Sequence, residues 1–130
     1  MKIVVDTNVL ISAFVFGGNA ERVLEHVLAS EELVISEFIL NELKRVLNEK
    51  FDISDDKVNR ILTSLSQVAL VLSPDIPMPT VCRDPDDNNI LQLAAFASAD
   101  FIVTGDKDLL ILNSFRTTTI VSPTTFLQNQ

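Results

Sequence analysis

Short apolar runs that each lead toward an acid constrain this chain more than any other feature. Ile3-Val4-Val5 runs into Asp6, Leu33-Val34-Ile35 into the helical stretch that carries Glu42, and Phe101-Ile102-Val103 into Thr104-Gly105-Asp106. Asp87 stands just before Asn88, where a further helical pattern begins. Between the runs, apolar residues recur at helical spacing, as in Val23, Leu24, Val27 and Leu28 or Ile39, Leu43, Val46 and Leu47. Strands alternating with helices predict an α/β fold around a central parallel sheet. The carboxyl ends of parallel strands share one edge, and ligands bind in the crevice there. Four acids spread from position 6 to position 106 can therefore meet in one pocket.

The expected strands cover 2–5, 33–35, 68–72, 101–103 and 118–121, about five in all. Helices are expected over 9–16, 20–29, 88–97 and 109–112. Ser36 caps another, running to about Leu47, Ser54 caps the next, and Ser122-Pro123 opens the last. The stretch 73–85 holds four of the five prolines and reads as an irregular loop.

Converging carboxylates repel one another and resist ionising unless a hard divalent cation neutralises them. Asp6, directly after the first strand, is either such a ligand or a helix cap. Glu42 lies at the edge of its helix's apolar stripe, where a carboxylate needs a positive partner: a metal, or Arg45 at i+3. In Asp84-Pro85-Asp86-Asp87, Asp87 shares a phase with Ile90, Leu91 and Ala94 and so faces inward. Asp84 is held extended by the proline and orders the loop or contributes through water, while Asp86 is expected in solvent. Thr104 can hold a water or orient a carboxylate. Asp106 is expected to match Asp6 on a neighbouring strand. Asp108 is either a further acid at the site or the start of a short helix.

A net charge of −8 argues against a protein that grips nucleic acid over a broad basic face. Lys44, Arg45, Lys50, Lys57 and Arg60 fall together, but Glu42, Glu49, Asp52, Asp55 and Asp56 share the stretch, which reads as a mixed solvated surface. Cys82 and His26 are the only cysteine and histidine, so a four-coordinate zinc site is excluded by counting. Cys82 is expected to be a small buried or loop residue, and His26 a helix-surface residue. No apolar run is long enough for a membrane span, and none precedes Asp6 that could serve as a signal peptide, so a cytoplasmic location is expected.

Asp6-Thr7-Asn8 after a first strand resembles the opening motif of PIN-domain ribonucleases. Glu42, the run from Asp87-Asn88-Asn89 to Ala95, and Val103-Thr104-Gly105-Asp106-Lys107-Asp108 resemble that family's remaining motifs in order. The resemblance extends to the closing Ile120–Leu127 segment, so 1–130 is expected to be a single PIN-like domain with a three-layer fold. It is strongest toward the small bacterial and archaeal toxin components of toxin–antitoxin pairs.

The resemblance implies Mg²⁺ or Mn²⁺ held by Asp6, Glu42, Asp87 and Asp106, with Thr7, Asn8, Asp84, Thr104 and Asp108 in support. It further implies hydrolysis of RNA phosphodiester bonds, an antitoxin protein as partner and a homodimer. None of the four acids is replaced, which fits an active member. Oxygen-only ligands suit a hard cation, and no protein nucleophile is needed.

A haloacid-dehalogenase-type phosphatase needs an Asp at position 8, which is Asn. A receiver domain needs an Asp after its third strand and a Lys after its fifth, and neither is in place. The remaining alternative is a non-catalytic PIN-like RNA- or protein-binding module.

Overall fold

The computed structural model describes all 130 residues. Six strands form one sheet: β1 (Lys2–Val5), β2 (Glu32–Ser36), β3 (Leu70–Leu72), β4 (Phe101–Val103), β5 (Ser114–Phe115) and β6 (Thr118–Val121). Their order is β3-β2-β1-β4-β6-β5, parallel throughout except for β5, which pairs antiparallel with β6 at the edge. The helices are α1 (Thr7–Val15), α2 (Gly18–Ser30), α3 (Glu37–Glu49), α4 (Asp55–Val68), α5 (Pro85–Ala97), α6 (Lys107–Leu110) and α7 (Pro123–Gln128). No helix is long and apolar enough to cross a membrane.

The central strands are buried on both faces, which is why Ile3, Val4, Val5, Leu33, Val34 and Ile35 read as unbroken apolar runs. Strand order steps one way from β1 through β2 to β3, then reverses across β4 to β6. Right-handed crossovers accordingly place α1 to α4 on one face and α5 on the other. The reversal falls between β1 and β4, whose registers pair Val5 with Val103. The crevice beyond those two residues is the natural ligand position for such a sheet.

Several local expectations need correction. The sheet has six strands, because the two-residue β5 is too short to leave an alternating pattern. Val68 ends α4, and β3 begins only at Leu70. The more consequential correction is α5, which starts at Pro85 rather than near Asn88. Asp84 is its N-cap, accepting from the Asp86 amide at 2.9 Å, and Pro85 takes the first helical position, where its missing N–H costs nothing. Ser36, Ser54 and Ser122 cap α3, α4 and α7 through their hydroxyls, as their sequences imply.

Candidate functional site

Asp6 leaves β1 with its amide bonded to the Val103 carbonyl of β4 at 2.9 Å, so the sheet ladder itself delivers the side chain to the crevice. It is almost wholly buried. Thr104, one step beyond Val103, donates from Oγ1 to Asp6 Oδ2 at 2.7 Å and accepts from the Asp106 amide at 3.0 Å. In strand register it is therefore Thr104 that faces Asp6. Asp106 sits two residues further on, where its Oδ1 caps α6 through the amides of Asp108 and Leu109.

From α1, the Thr7 hydroxyl donates to Glu42 Oε1 on α3 at 2.9 Å. Arg45 does not pair with Glu42; its nearest acid is Glu49, at 3.8 Å on the exposed face. From α5, Asp87 lies in the first turn with Ile90, Leu91 and Ala94, all buried, on its side of the helix. Asp6, Thr7, Asn8, Glu42, Asp84, Asp86, Asp87 and Asp106 thus line one cleft of about 180 Å³. Asp86 is exposed as expected, yet it forms part of this wall. Arg45 and Lys50 line the cleft too, so the basic stretch is not simply a solvated surface.

Electrostatics mark the site. Burial raises the Asp6 pKa above its usual value; the Thr104 hydrogen bond opposes this, and the nearby Asp106 charge adds to it. Burial also raises Glu42, against the Thr7 hydrogen bond and with Asp86 and Asp6 adding repulsion. Asp87 is pushed up to about 7 by burial and then by the charges of Asp106, Asp6, Asp84 and Asp108. Its Oδ2 is buried with no hydrogen-bond partner. Carboxylate oxygens of Asp87, Asp106 and Asp108 lie within 4.8 Å of one another. An unpartnered buried oxygen among crowded carboxylates, in a cleft that no histidine or cysteine lines, fits a hard divalent cation.

Two residues hold the loop before α5 in place and were not singled out from sequence. Asn88 Oδ1 accepts from the Cys82 amide at 2.9 Å, and its Nδ2 donates to the Cys82 carbonyl at 3.0 Å. Arg83 donates to both oxygens of Asp108 at 3.0 and 3.1 Å, tying the loop to α6. In the sequence only the position of Asn88 directly after the acidic turn points to the first, and nothing points to the second. Cys82 itself is half-buried, and its thiol pKa is raised first by burial and then by Asp87, which opposes a nucleophilic role. His26 lies on α2, bonded to Gln130 and edge-on to Phe126 of α7.

Comparison with known proteins adds family to geometry. The PIN-domain family model matches residues 2–108. An uncharacterized protein from Methanocaldococcus jannaschii, MJ1680, is 34% identical over 118 residues, covering 86% of this chain and 75% of the relative. The fold is similar to that in VapBC-1 from nontypeable Haemophilus influenzae (19% identity, TM-score 0.64, 95% of this chain and 99% of that one). It is also similar to that in VapBC2 from Rickettsia felis bound to a promoter DNA fragment (15% identity, TM-score 0.62, 94% and 98%). FitAcB from Neisseria gonorrhoeae is a third such structure (18% identity, TM-score 0.59, 93% and 97%). The family model spans most of the chain, and the acid-lined crevice at the switch point fits it: the chain belongs to the PIN-domain family.

Proposed function

We propose that this protein is an Mg²⁺- or Mn²⁺-dependent endoribonuclease that hydrolyses RNA phosphodiester bonds and is the toxin of a toxin–antitoxin pair. The observation that carries the nuclease reading is the unpartnered Oδ2 of Asp87, buried beside Asp106 and Asp108 in a cleft that Asp6 and Glu42 complete. Asp87, Asp106 and Asp6 would hold the cation directly or through water, with Glu42 completing the pocket and Asp108 close enough to join. A bound divalent cation supplies Lewis-acid polarisation of the scissile phosphate and acidifies the attacking water.

The chain's own residues prepare that chemistry. Thr104 fixes the orientation of Asp6 and, through its bond to the Asp106 amide, the distance between the two acids. Thr7 orients Glu42 through Oε1, and Asp86 facing the same carboxyl favours a proton held there. Asn8 borders the cleft beside them, and Asp84 sets the start of α5 and hence the depth of Asp87.

Fold likeness to the VapBC and FitAcB structures supports an antitoxin protein as partner. An apolar groove of about 540 Å³ between α1, α2 and α4, lined by Phe14, Leu24, Leu28, Ile61, Leu65 and Val68, offers surface for one. We further place the chain in the cytoplasm as a single-domain homodimer; apolar side chains such as Phe16 and Ile111 that remain exposed in one copy support the dimer. Light scattering that shows only a monomer-sized species at micromolar concentration would remove the dimer.

The deciding experiment is cleavage of a mixed RNA pool with and without Mg²⁺ or Mn²⁺, comparing wild type with Asp6→Asn. Metal-dependent cutting that Asp6→Asn abolishes is expected. RNA or protein binding without any cutting would instead mark a non-catalytic PIN-like module.

A further inference from the structure

The charge of −8 should repel an RNA strand from most of this surface, so the strand needs a local attractive path to the acids. Helix α3 offers one. It carries Glu42 into the cleft and, one turn on, places Arg45 on the cleft's wall; Lys50 follows just past the helix end. Arg45 also lines a second hollow of about 280 Å³, together with Asn41, Lys44, Asn48, Glu49 and Asp55. Asn41, Lys44, Arg45 and Asn48 stand at i, i+3, i+4 and i+7, so they share one face of the helix. The two hollows therefore meet at Arg45 and run outward along α3 from the acids.

A second observation points to a ligand in the outer hollow. Nδ2 of Asn48 is buried and has no hydrogen-bond partner. Buried amide donors are rarely left unpaired, so turning the Asn48 amide into the hollow, which Lys44 and Arg45 line together with Glu49 and Asp55, would gain an acceptor oxygen without breaking a bond. Lys44 makes no ion pair. Arg45 has only the 3.8 Å contact with exposed Glu49, which salt weakens and a phosphate can displace.

We propose that Lys44, Arg45 and Asn48 form a phosphate subsite that holds the RNA strand flanking the cut, about one to two helical turns along α3 from Glu42. This inference rests on the ribonuclease reading, because it assigns the substrate's path to the same cleft. Arg45 clamps a phosphate between the two hollows, Lys44 adds a point charge to the next, and Asn48 donates to an oxygen of the strand. Contacts of this kind position a strand without reading its sequence.

The test uses the full chain carrying Asp6→Asn in Mg²⁺, with fluorescence anisotropy of a labelled single-stranded RNA followed across a salt series. Adding Lys44→Ala or Arg45→Ala should weaken binding roughly three- to tenfold and lower the slope of log affinity against log salt by about 0.7 each. Asn48→Ala should weaken binding with the slope unchanged, since it removes no charge. In the otherwise wild-type enzyme, Lys44→Ala should raise KM several-fold with little change in kcat. Circular dichroism melts check that the exposed substitutions leave the fold intact.

Unchanged affinity and slope in both Lys44→Ala and Arg45→Ala, in a protein whose wild type cuts RNA, would overturn the subsite and leave the ribonuclease reading standing. Strand binding that depends on these residues in a wild type that never cuts would overturn the ribonuclease reading and leave the subsite. Equal losses for a single-stranded DNA probe would show that the subsite reads phosphate rather than ribose, as proposed.

Discussion

The hydroxyl of Thr104 donates a 2.7 Å hydrogen bond to Oδ2 of Asp6, joining two residues 98 positions apart at the reversal point of the sheet. The same hydroxyl accepts the Asp106 amide, so one buried oxygen sets the spacing of two acids. Thr104→Val keeps the shape but leaves the Asp106 amide without its acceptor and Asp6 without its donor. A loss of about 1–3 kcal/mol in urea unfolding is expected, with RNA cleavage falling at least tenfold (roughly 1.4 kcal/mol). Thr104→Ser should restore most of both. A Thr104→Val protein with wild-type cleavage would deny the threonine any positioning role.

Metal-free stability should fall as pH rises. The Asp87 carboxyl titrates at about 7 in the folded protein, against an ordinary value of 3.8. Between those values the folded chain holds a proton that the unfolded chain has released, so each rise in pH favours unfolding. The loss begins above about pH 4 and is complete above about pH 7. Urea midpoints in EDTA should therefore be higher at pH 5 than at pH 8, and Asp87→Asn should remove much of that difference. A midpoint that rises with pH would contradict the crowding of these carboxylates.

Adding Mn²⁺ should reverse that trend, because a ligand that binds only the folded state raises its stability by mass action. At pH 8 the wild type should gain melting temperature with Mn²⁺, and Asp6→Asn should gain less. Without metal, Asp6→Asn should melt higher than wild type, since it removes one of several repelling charges. Equal melting temperatures without metal and equal Mn²⁺ shifts would count against a shared site.

Asp84 and Asp87 precede or open the same helix but should fail differently. Asp87→Asn should abolish metal-dependent cleavage. Asp84→Asn keeps a good N-cap and should weaken cleavage less, whereas Asp84→Ala should cost about 0.5–2 kcal/mol of stability. A dead Asp84→Asn beside a near-normal Asp87→Asn would reassign the third ligand.

Asn88 pins the Cys82 backbone by two hydrogen bonds, and Gln92 adds one to the Ile76 carbonyl at 2.7 Å. Asn88→Ala should loosen the loop that carries Arg83 and Asp84. Faster amide exchange over residues 76–84, a stability loss of about 1–3 kcal/mol and reduced kcat/KM are the expected readouts. Exchange in that segment equal to wild type would show that the loop is held by other means.

The family, the α/β class and the meeting of Asp6, Glu42, Asp87 and Asp106 in one cleft were legible because each rests on local chemistry. Apolar runs announce buried strands, serine before a helical pattern announces a cap, and an acid after a strand announces the sheet edge. Asp84-Pro85 carries the same cap-then-proline signal as Ser122-Pro123. The proline-rich loop before it masks that signal, so the sequence pattern points to a start near Asn88, three residues past the observed one. Asp87 kept its inward face regardless, because helical phase depends on spacing from Ile90 and Leu91 and not on where the helix begins.

What only the tertiary structure decided is which groups face one another. Strand order placed β1 beside β4 and put Thr104, not Asp106, in register with Asp6. Helix packing turned Glu42 to Thr7 rather than to Arg45, and brought Arg45 and Lys50 to a cleft lined otherwise largely by acids. Residue spacing along a chain carries information about one element's faces. Contacts between elements depend on how those faces are packed, and no local pattern encodes that distance.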